Sequence, residues 1–246
     1  MNETGTEKTV ALVTGANKGI GFEVAQKLGK AGMTIYVGSR NRGRGEAAAK
    51  SLQSQGIDAR FVELDLADAS TIDKAAETIA AEQGRLDILV NNAGIVVEGD
   101  GTPGEADVDS IRRTFETNFF ATVLVTQKML PLIRKSKAAR IVNVSSGLGS
   151  LTLNSDPNNE FSGYRILGYS ASKTALNMFT IMLAKELKEE GILVNSADPG
   201  YTATDLNGHR GPQTVEEGAS EVIRLATLPA DGPSGGYSDM HGPRPW

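Results

Sequence analysis

The 246-residue chain contains no cysteine. That excludes disulfides, a thiolate nucleophile and any cysteine-held metal or cluster. Only two histidines are present, His209 and His241. Histidine-based triads and histidine-rich metal sites are therefore not expected, and His209 reads as a solvated loop residue. No run of apolar residues is long enough to span a bilayer. Residues 1–8 are polar, carry no signal-peptide core and are expected to be flexible. The formal net charge of -5 argues against a nucleic acid or an anionic membrane as partner. No repeat and no Pro-, Gly- or Ser-rich linker divides the chain, so one domain over 1–246 in the cytosol is expected.

What is present alternates. Short β-rich runs fall at 9–13, 34–37, 59–64, 86–90, 140–144 and 192–197, with a further candidate edge strand at 236–240. Helical stretches fall between them at 19–30, 45–55, from Ser70, at 107–115, 118–132, 169–189 and 214–228. Ser70 with Asp73, and Thr214 with Glu217, have the spacing of capping boxes. Strand–helix alternation predicts an α/β fold with a mostly parallel sheet, covered by helices on both faces.

Between the first strand and the first helix lies Gly15-Ala16-Asn17-Lys18-Gly19-Ile20-Gly21. Glycines there could make only a tight connection. They also let backbone N–H groups approach a pyrophosphate at a helix N-terminus, as in a dinucleotide site. An acid that would hold the ribose 2′-OH is absent after the second strand, where Ser39-Arg40 stands instead. Arginine suits a 2′-phosphate, and Lys18 offers a second positive charge, so NADP is favoured over NAD.

Tyr169 and Lys173 lie four residues apart on a helix, one turn above each other. On its own such a pair could be the exposed face of an amphipathic helix. An ammonium close to a phenol would lower the phenol's pKa and suit it to acid–base work. Tyr164 lacks such a lysine, because position 168 is Gly. Ser145 and Ser146 end a strand and point to opposite faces, and spacing does not choose between them.

In order along the chain, these residues resemble the short-chain dehydrogenase/reductase family, and within it the NADPH-dependent carbonyl reductases. Asp65-Leu66 looks like the adenine-binding acid and its neighbour. Asn91-Asn92-Ala93-Gly94 matches the family's most recognisable loop, Asn118 its helix-borne asparagine, and Pro199-Gly200-x-x-x-Thr204 its nicotinamide loop. The resemblance implies a single-domain Rossmann fold and a catalytic set of Asn118, Ser146, Tyr169 and Lys173. It implies an NADP(H) site formed by Gly15, Asn17, Lys18, Gly19, Ile20, Gly21, Ser39, Arg40, Asp65, Leu66, Asn92, Ala93, Gly94, Tyr169, Lys173, Pro199, Gly200, Thr202 and Thr204. Ser145 is then packing or a cofactor neighbour. The implied reaction is reduction of a ketone or aldehyde, with Tyr169 as acid, Ser146 as a second donor, and Asn118 anchoring a water that relays protons to Lys173. A non-catalytic NADP-binding regulator, an NADP-dependent dehydrogenase working in the oxidative direction, and an epimerase or dehydratase acting on nucleotide sugars are the alternatives. The last usually carries an added domain for which this chain has no room.

Residues 147–168 form a longer gap between the serine and tyrosine motifs than most family members have. Its ends are apolar (Leu148, Leu151, Leu153, then Phe161, Tyr164, Ile166 and Leu167) and should line the substrate side, while the turn-rich centre at 154–159 faces water. Ser146, Val96, Leu148, Phe161, Tyr164 and Tyr201 are the expected substrate contacts, favouring a hydrophobic or aromatic carbonyl compound. The loop from Thr204 to Arg210 is a candidate lid. Leu176, Phe179 and Leu183 form one apolar stripe on the Tyr169 helix, and Ala175, Met178 and Met182 form another. The insertion looks too short to cover both, which favours a homo-oligomer.

Overall fold

The computed structural model describes residues 8–246; the flexibility expected of the N-terminus falls, Lys8 apart, outside the described residues. Strands β1 (Val10–Thr14), β2 (Thr34–Ser39) and β4 (Ile88–Asn91) are buried at every residue. So are β5 (Arg140–Val144), β6 (Leu193–Ala197) and β7 (Tyr237–Asp239). In β1, β2 and β4 near-continuous apolar runs are what burial on both faces requires, while β5, β6 and β7 also bury polar residues such as Asn143, Asn195 and Asp239. With β3 (Ala59–Glu63) and β8 (Gly242–Pro243) they make one sheet in the order β3-β2-β1-β4-β5-β6-β7-β8. Every pairing is parallel except β7 with β8. β7, expected at the edge, is therefore covered by β8, whose short return strand the sequence pattern did not suggest.

Side chains alternate between the sheet faces. Ala11 and Val13 of β1 join one core with residues of α1 (Gly19–Lys30), α2 (Arg42–Gln53) and α8 (Val215–Ala226). Val10 and Leu12 join the other, with residues of α3 (Ala69–Gln83), α5 (Ala121–Ile133) and α7 (Leu167–Glu186). The period-2 placement of a strand thus feeds two cores from one run of apolar residues.

Helix starts follow their caps. Thr214 and Glu217 form the expected capping box at α8. At α3 the cap is Asp68, not Ser70, because the Asp68 carboxylate accepts the Ser70 N–H at 2.9 Å. Asn41 caps α2 and starts it earlier than expected. Helix α4 (Val108–Phe115), capped by Asp107, does not end before α5. A wide π turn at Glu116–Phe120 joins the two, and Asn118 sits inside it. Within the insertion, Ser150 caps a short α6 (Leu151–Ser155), which includes Asn154. The open turn accordingly begins at Asp156, and Leu151 faces solvent instead of lining the site.

β1 leads by way of α1 to β2 on one side of the sheet, while β4 adds on the other side of β1. The reversal opens a crevice at the carboxyl ends of β1 and β4, where ligands of such sheets bind. Across α7, Leu176 and Leu183 are buried, but Met178 and Met182 are each 57% exposed, and Phe120 is 53% exposed.

Candidate active site

The crevice is a cleft of about 610 Å³ over the ends of β1 and β4. At its floor the β1 turn and the loop after β4 are locked together. The Thr14 hydroxyl accepts the N–H groups of Asn92 and Ala93, both at 3.0 Å, and the Asn92 amide donates to the Thr14 carbonyl at 2.8 Å. Gly15 has φ +66°, and a Cβ on it would crowd Ala93 at 3.1 Å. A Cβ on Gly21 would run into the Asn92 amide. The glycine pattern therefore exists for close backbone approach. Helix α1 begins here with no side-chain cap and no acid in its first turn, and its first residues, Gly19, Ile20 and Gly21, line the cleft.

Arg40 lines the same cleft, is exposed, and makes no hydrogen bond or ion pair among the described residues. Lys18 differs. Its ammonium is paired with Asp205, whose other oxygen lies 2.8 Å from His209 Nε2. The expected second free positive charge is therefore neutralised by the loop opposite. Lys18 and Asp205 hold each other's opposite charge across the cleft mouth, and His209 is exposed but not solitary.

At the other end stand the chemical groups. Lys173 is buried and donates from Nζ to the Val144 carbonyl at 2.7 Å. Its Nζ lies 5.6 Å from the centre of the Tyr169 ring. Tyr169 is buried, and Ser146 lies close enough to its phenol to favour the phenolate. Burial pushes the Tyr169 phenol up to about 12, against a smaller lowering by Ser146. Burial pushes Lys173 down to about 8, against a raising by Asp198. The expected lowering of the tyrosine by the lysine is thus not realised. Helical spacing brings the two residues to one face, but the ammonium is spent on a carbonyl, and desolvation outweighs attraction across the ring.

Ser145 Oγ is buried and donates to Asn177 at 2.6 Å, which leaves Ser146 as the serine beside Tyr169. The Asn118 side chain accepts the Ile95 N–H at 2.8 Å and donates to the Ile95 carbonyl and to Ser172. It therefore fixes the loop after Gly94, behind Lys173, and does not line the cleft.

Most of the expected cofactor residues line this one cleft: the glycine turn, Arg40, Asp65, Leu66, Asn92, Ala93, Gly94, Tyr169, Lys173, Pro199 and Thr204. Three do not line it. Ser39 is buried and donates to the Asn41 carbonyl. Thr202 is buried and donates to the Pro199 carbonyl at 2.8 Å, packed against Gly218 of α8. Gly200 sits against the Gln213 side chain. Of the expected substrate contacts, Val96 lines the cleft. Phe161 packs on Gly147 beside Ser146, and Tyr164 bridges it to Tyr201, with ring centres 6.5 and 6.0 Å apart. Leu148 is half-buried after the serine turn.

Two acids at the site were not singled out by the sequence pattern. The Asp100 carboxylate accepts the N–H groups of Gly168 and Tyr169 at 2.7 and 2.8 Å, capping α7 from 68 and 69 residues away. Asp198, at the end of β6, is buried, and its motif signal was only its place before Pro199-Gly200.

The buried lysine has a consequence for stability. Its value of about 8 in the native state lies below the 10.5 of an open chain. Between those values the unfolded chain holds more protons, so stability rises with pH there, and the burial penalty is fully present below about 8. Against Lys173→Met, the wild type should gain about 2 kcal/mol of unfolding free energy between about pH 7.5 and about pH 9.5, at roughly 1.4 kcal/mol per unit of displaced titration. Urea unfolding of both proteins checks this; parallel pH curves would refute it.

The family model for short chain dehydrogenases matches residues 9–214. The short-chain dehydrogenase anuI of Penicillium roqueforti is 39% identical, with 89% of each chain covered. The NADPH carbonyl reductase 3 of Rattus norvegicus is 35% identical, over 90% of this chain and 92% of that one. The NADPH-bound carbonyl reductase from chicken fatty liver superposes with a TM-score of 0.85 at 27% identity, covering 98% of this chain and 100% of that one. The sheet order, the cleft and the Ser146–Tyr169–Lys173 group sit where those matches run, and the chain belongs to the short-chain dehydrogenase/reductase family, closely related to its NADPH-dependent carbonyl reductases.

Proposed function

We propose that the protein reduces a ketone or aldehyde to an alcohol at the expense of NADPH. Membership of the family makes it an oxidoreductase of carbonyl and alcohol groups. The observation that carries the finer reading is one cleft with an uncapped helix end and an Arg40 that is unpaired among the described residues at one end, and Tyr169 and Lys173 at the other, with Ser146 next to the tyrosine just behind the lining.

The residues fit a dinucleotide. The first N–H groups of α1 and the bare approach at Gly15 suit a pyrophosphate, and Arg40 suits a 2′-phosphate. Asp65 and Leu66 would meet the adenine; Asn92, Ala93, Gly94, Pro199 and Thr204 would border the nicotinamide half. The cofactor supplies the hydride. The chain supplies the rest. A phenol held near 12 is protonated at neutral pH, which suits Tyr169 to donate to a developing alkoxide. Ser146 adds a second donor to the same oxygen. Lys173, fixed on Val144, places a positive charge beneath the tyrosine ring. Asn118 holds the loop against which Lys173 rests and would anchor, at its π turn, the water relaying protons to that lysine. Phe161, Tyr164, Tyr201 and Val96 give the substrate side an aromatic and apolar rim, fitting a hydrophobic carbonyl compound. We also propose a homo-oligomer through α5 and α7, because Phe120, Met178 and Met182 lie exposed and α6 does not cover them.

Loss of NADPH absorbance against a panel of ketones, aldehydes and quinones tests the activity. Tyr169→Phe should bind NADPH but turn over on the order of a hundredfold more slowly or worse. Near wild-type turnover in that variant, with Tyr164→Phe impaired, would reverse the assignment. Arg40→Ala should raise the KM for NADPH on the order of tenfold or more and leave NADH unchanged, since a hydrogen bond to a charged group contributes roughly 1.5–3 kcal/mol. Equal kcat/KM for the two cofactors in the wild type would refute the preference. Light scattering behind a sizing column should show a multiple of the chain mass, and a single-chain mass across micromolar concentrations would refute the assembly.

A further inference from the structure

Asp198 is the one buried carboxylate at the site to which the proposed chemistry gives no task. It is 3% exposed, at the end of β6. The backbone fixes its place. β6 pairs with β5 up to Ala197 and Val144, and the Ala197 carbonyl accepts the Ser145 N–H at 2.7 Å. Asp198 therefore stands beside the Ser145–Ser146 turn. Val144, whose carbonyl holds Lys173, is one residue before that turn.

The carboxylate joins two turns. It accepts the Gly200 N–H at 3.0 Å, which shapes the loop after Pro199. The Gly147 N–H, one residue after Ser146, lies close enough to favour the charged form of the carboxylate. The Tyr237 hydroxyl of β7 donates to it at 3.1 Å. Arg244, just after β8, brings its Nε to 3.8 Å, and the same nitrogen lies 3.2 Å from Asp239. Arg244 also reaches Glu160 at 3.3 Å and lies over the Phe161 ring, so this counter-ion pins the insertion. The charged and titratable groups around Asp198 are thus Arg244, Asp239 and Tyr237 on one side, Glu160 through Arg244 on a second, and Tyr169 and Lys173 of α7 on the third.

We propose that Asp198 is a positioning residue for the catalytic group: its buried charge ties the turn after Ser146 to the Pro199–Gly200 loop, and sets the electrostatic field in which Tyr169 and Lys173 exchange protons, with Arg244 as its counter-ion. A negative charge beside Tyr169 disfavours phenolate and favours the ammonium of Lys173, so it moves both titrations upward. Removing it should move both downward. A merely structural link would leave both where they are.

This rests on the acid–base roles given to Tyr169 and Lys173. Asp198→Asn keeps the shape and an acceptor oxygen but loses the charge. The pH profile of kcat/KM for carbonyl reduction should shift to lower pH by about one unit. The same shift should appear, without cofactor or turnover, in the pH at which Lys173 raises unfolding stability, taken as the difference from the matching Lys173→Met protein. Both titrations unmoved, whatever happens to kcat, would overturn the proposal. Should Asp198→Asn not fold, Arg244→Met serves, with Arg244→Lys as rescue. A buried carboxylate without its cation takes up a proton more readily, so Arg244→Met should shift the profile the same way and Arg244→Lys should restore it; an unmoved profile in Arg244→Met overturns the proposal too. If the wild type reduced no carbonyl in the panel, the functional proposal would fall, while the stability difference would still decide the part played by Asp198.

Discussion

A buried ammonium is the constraint around which the site is assembled. Lys173 is almost wholly out of water, where an unpaired charge would lose its proton. Three features keep most of that charge near neutral pH. The Val144 carbonyl accepts from Nζ, Asp198 lies close enough to raise its titration, and Gly94 presents no side chain where a Cβ would stand 3.5 Å from Nζ. Each comes from a different part of the fold: the end of β5, the end of β6 and the loop after β4. The parallel sheet matters to function because it delivers these three ends to one edge.

Much of this is legible in the sequence because it depends on local pattern. The apolar runs of the first strands, the glycine turn, the Thr214–Glu217 box and the alternation of strands with helices all act over a few residues, and a mostly parallel sheet follows from them. What escaped the sequence acts at long range or in geometry. The cap of α7 comes from Asp100, far away in the chain, while Ile166, at the local cap position, has no side-chain oxygen. The partner of Lys18 is 187 residues distant. Ser39 and Thr202 match a motif by position, but their hydroxyls turn to nearby carbonyls, which no motif spacing records.

The tyrosine and lysine show where spacing stops being informative. Four residues on a helix guarantee a shared face, and that holds. It does not guarantee that the charged tip reaches the hydroxyl. The shorter route for the ammonium is to the Val144 carbonyl, and the phenol is left with Ser146 as its polar neighbour. Burial then decides both titrations, upward for the phenol and downward for the amine. The outcome still suits the proposed reduction, in which an acid has to hold its proton until the alkoxide forms.

The mouth of the cleft follows a different logic from its interior. The Lys18–Asp205 pair joins the glycine turn to the loop after Thr204, and His209 extends it. Lys18 and Asp205 are each half exposed, so solvent and salt screen their attraction. Such a contact can hold a loop across an opening and still yield to a phosphate carrying more charge. Inside, Lys173 and Asp198 are shielded from water, the one held by the Val144 carbonyl and the other beside Arg244, so removing either support leaves a buried charge without compensation. The chain therefore places a weak, exchangeable ion pair where a ligand must pass, and fixed charges where protons must be held at set positions.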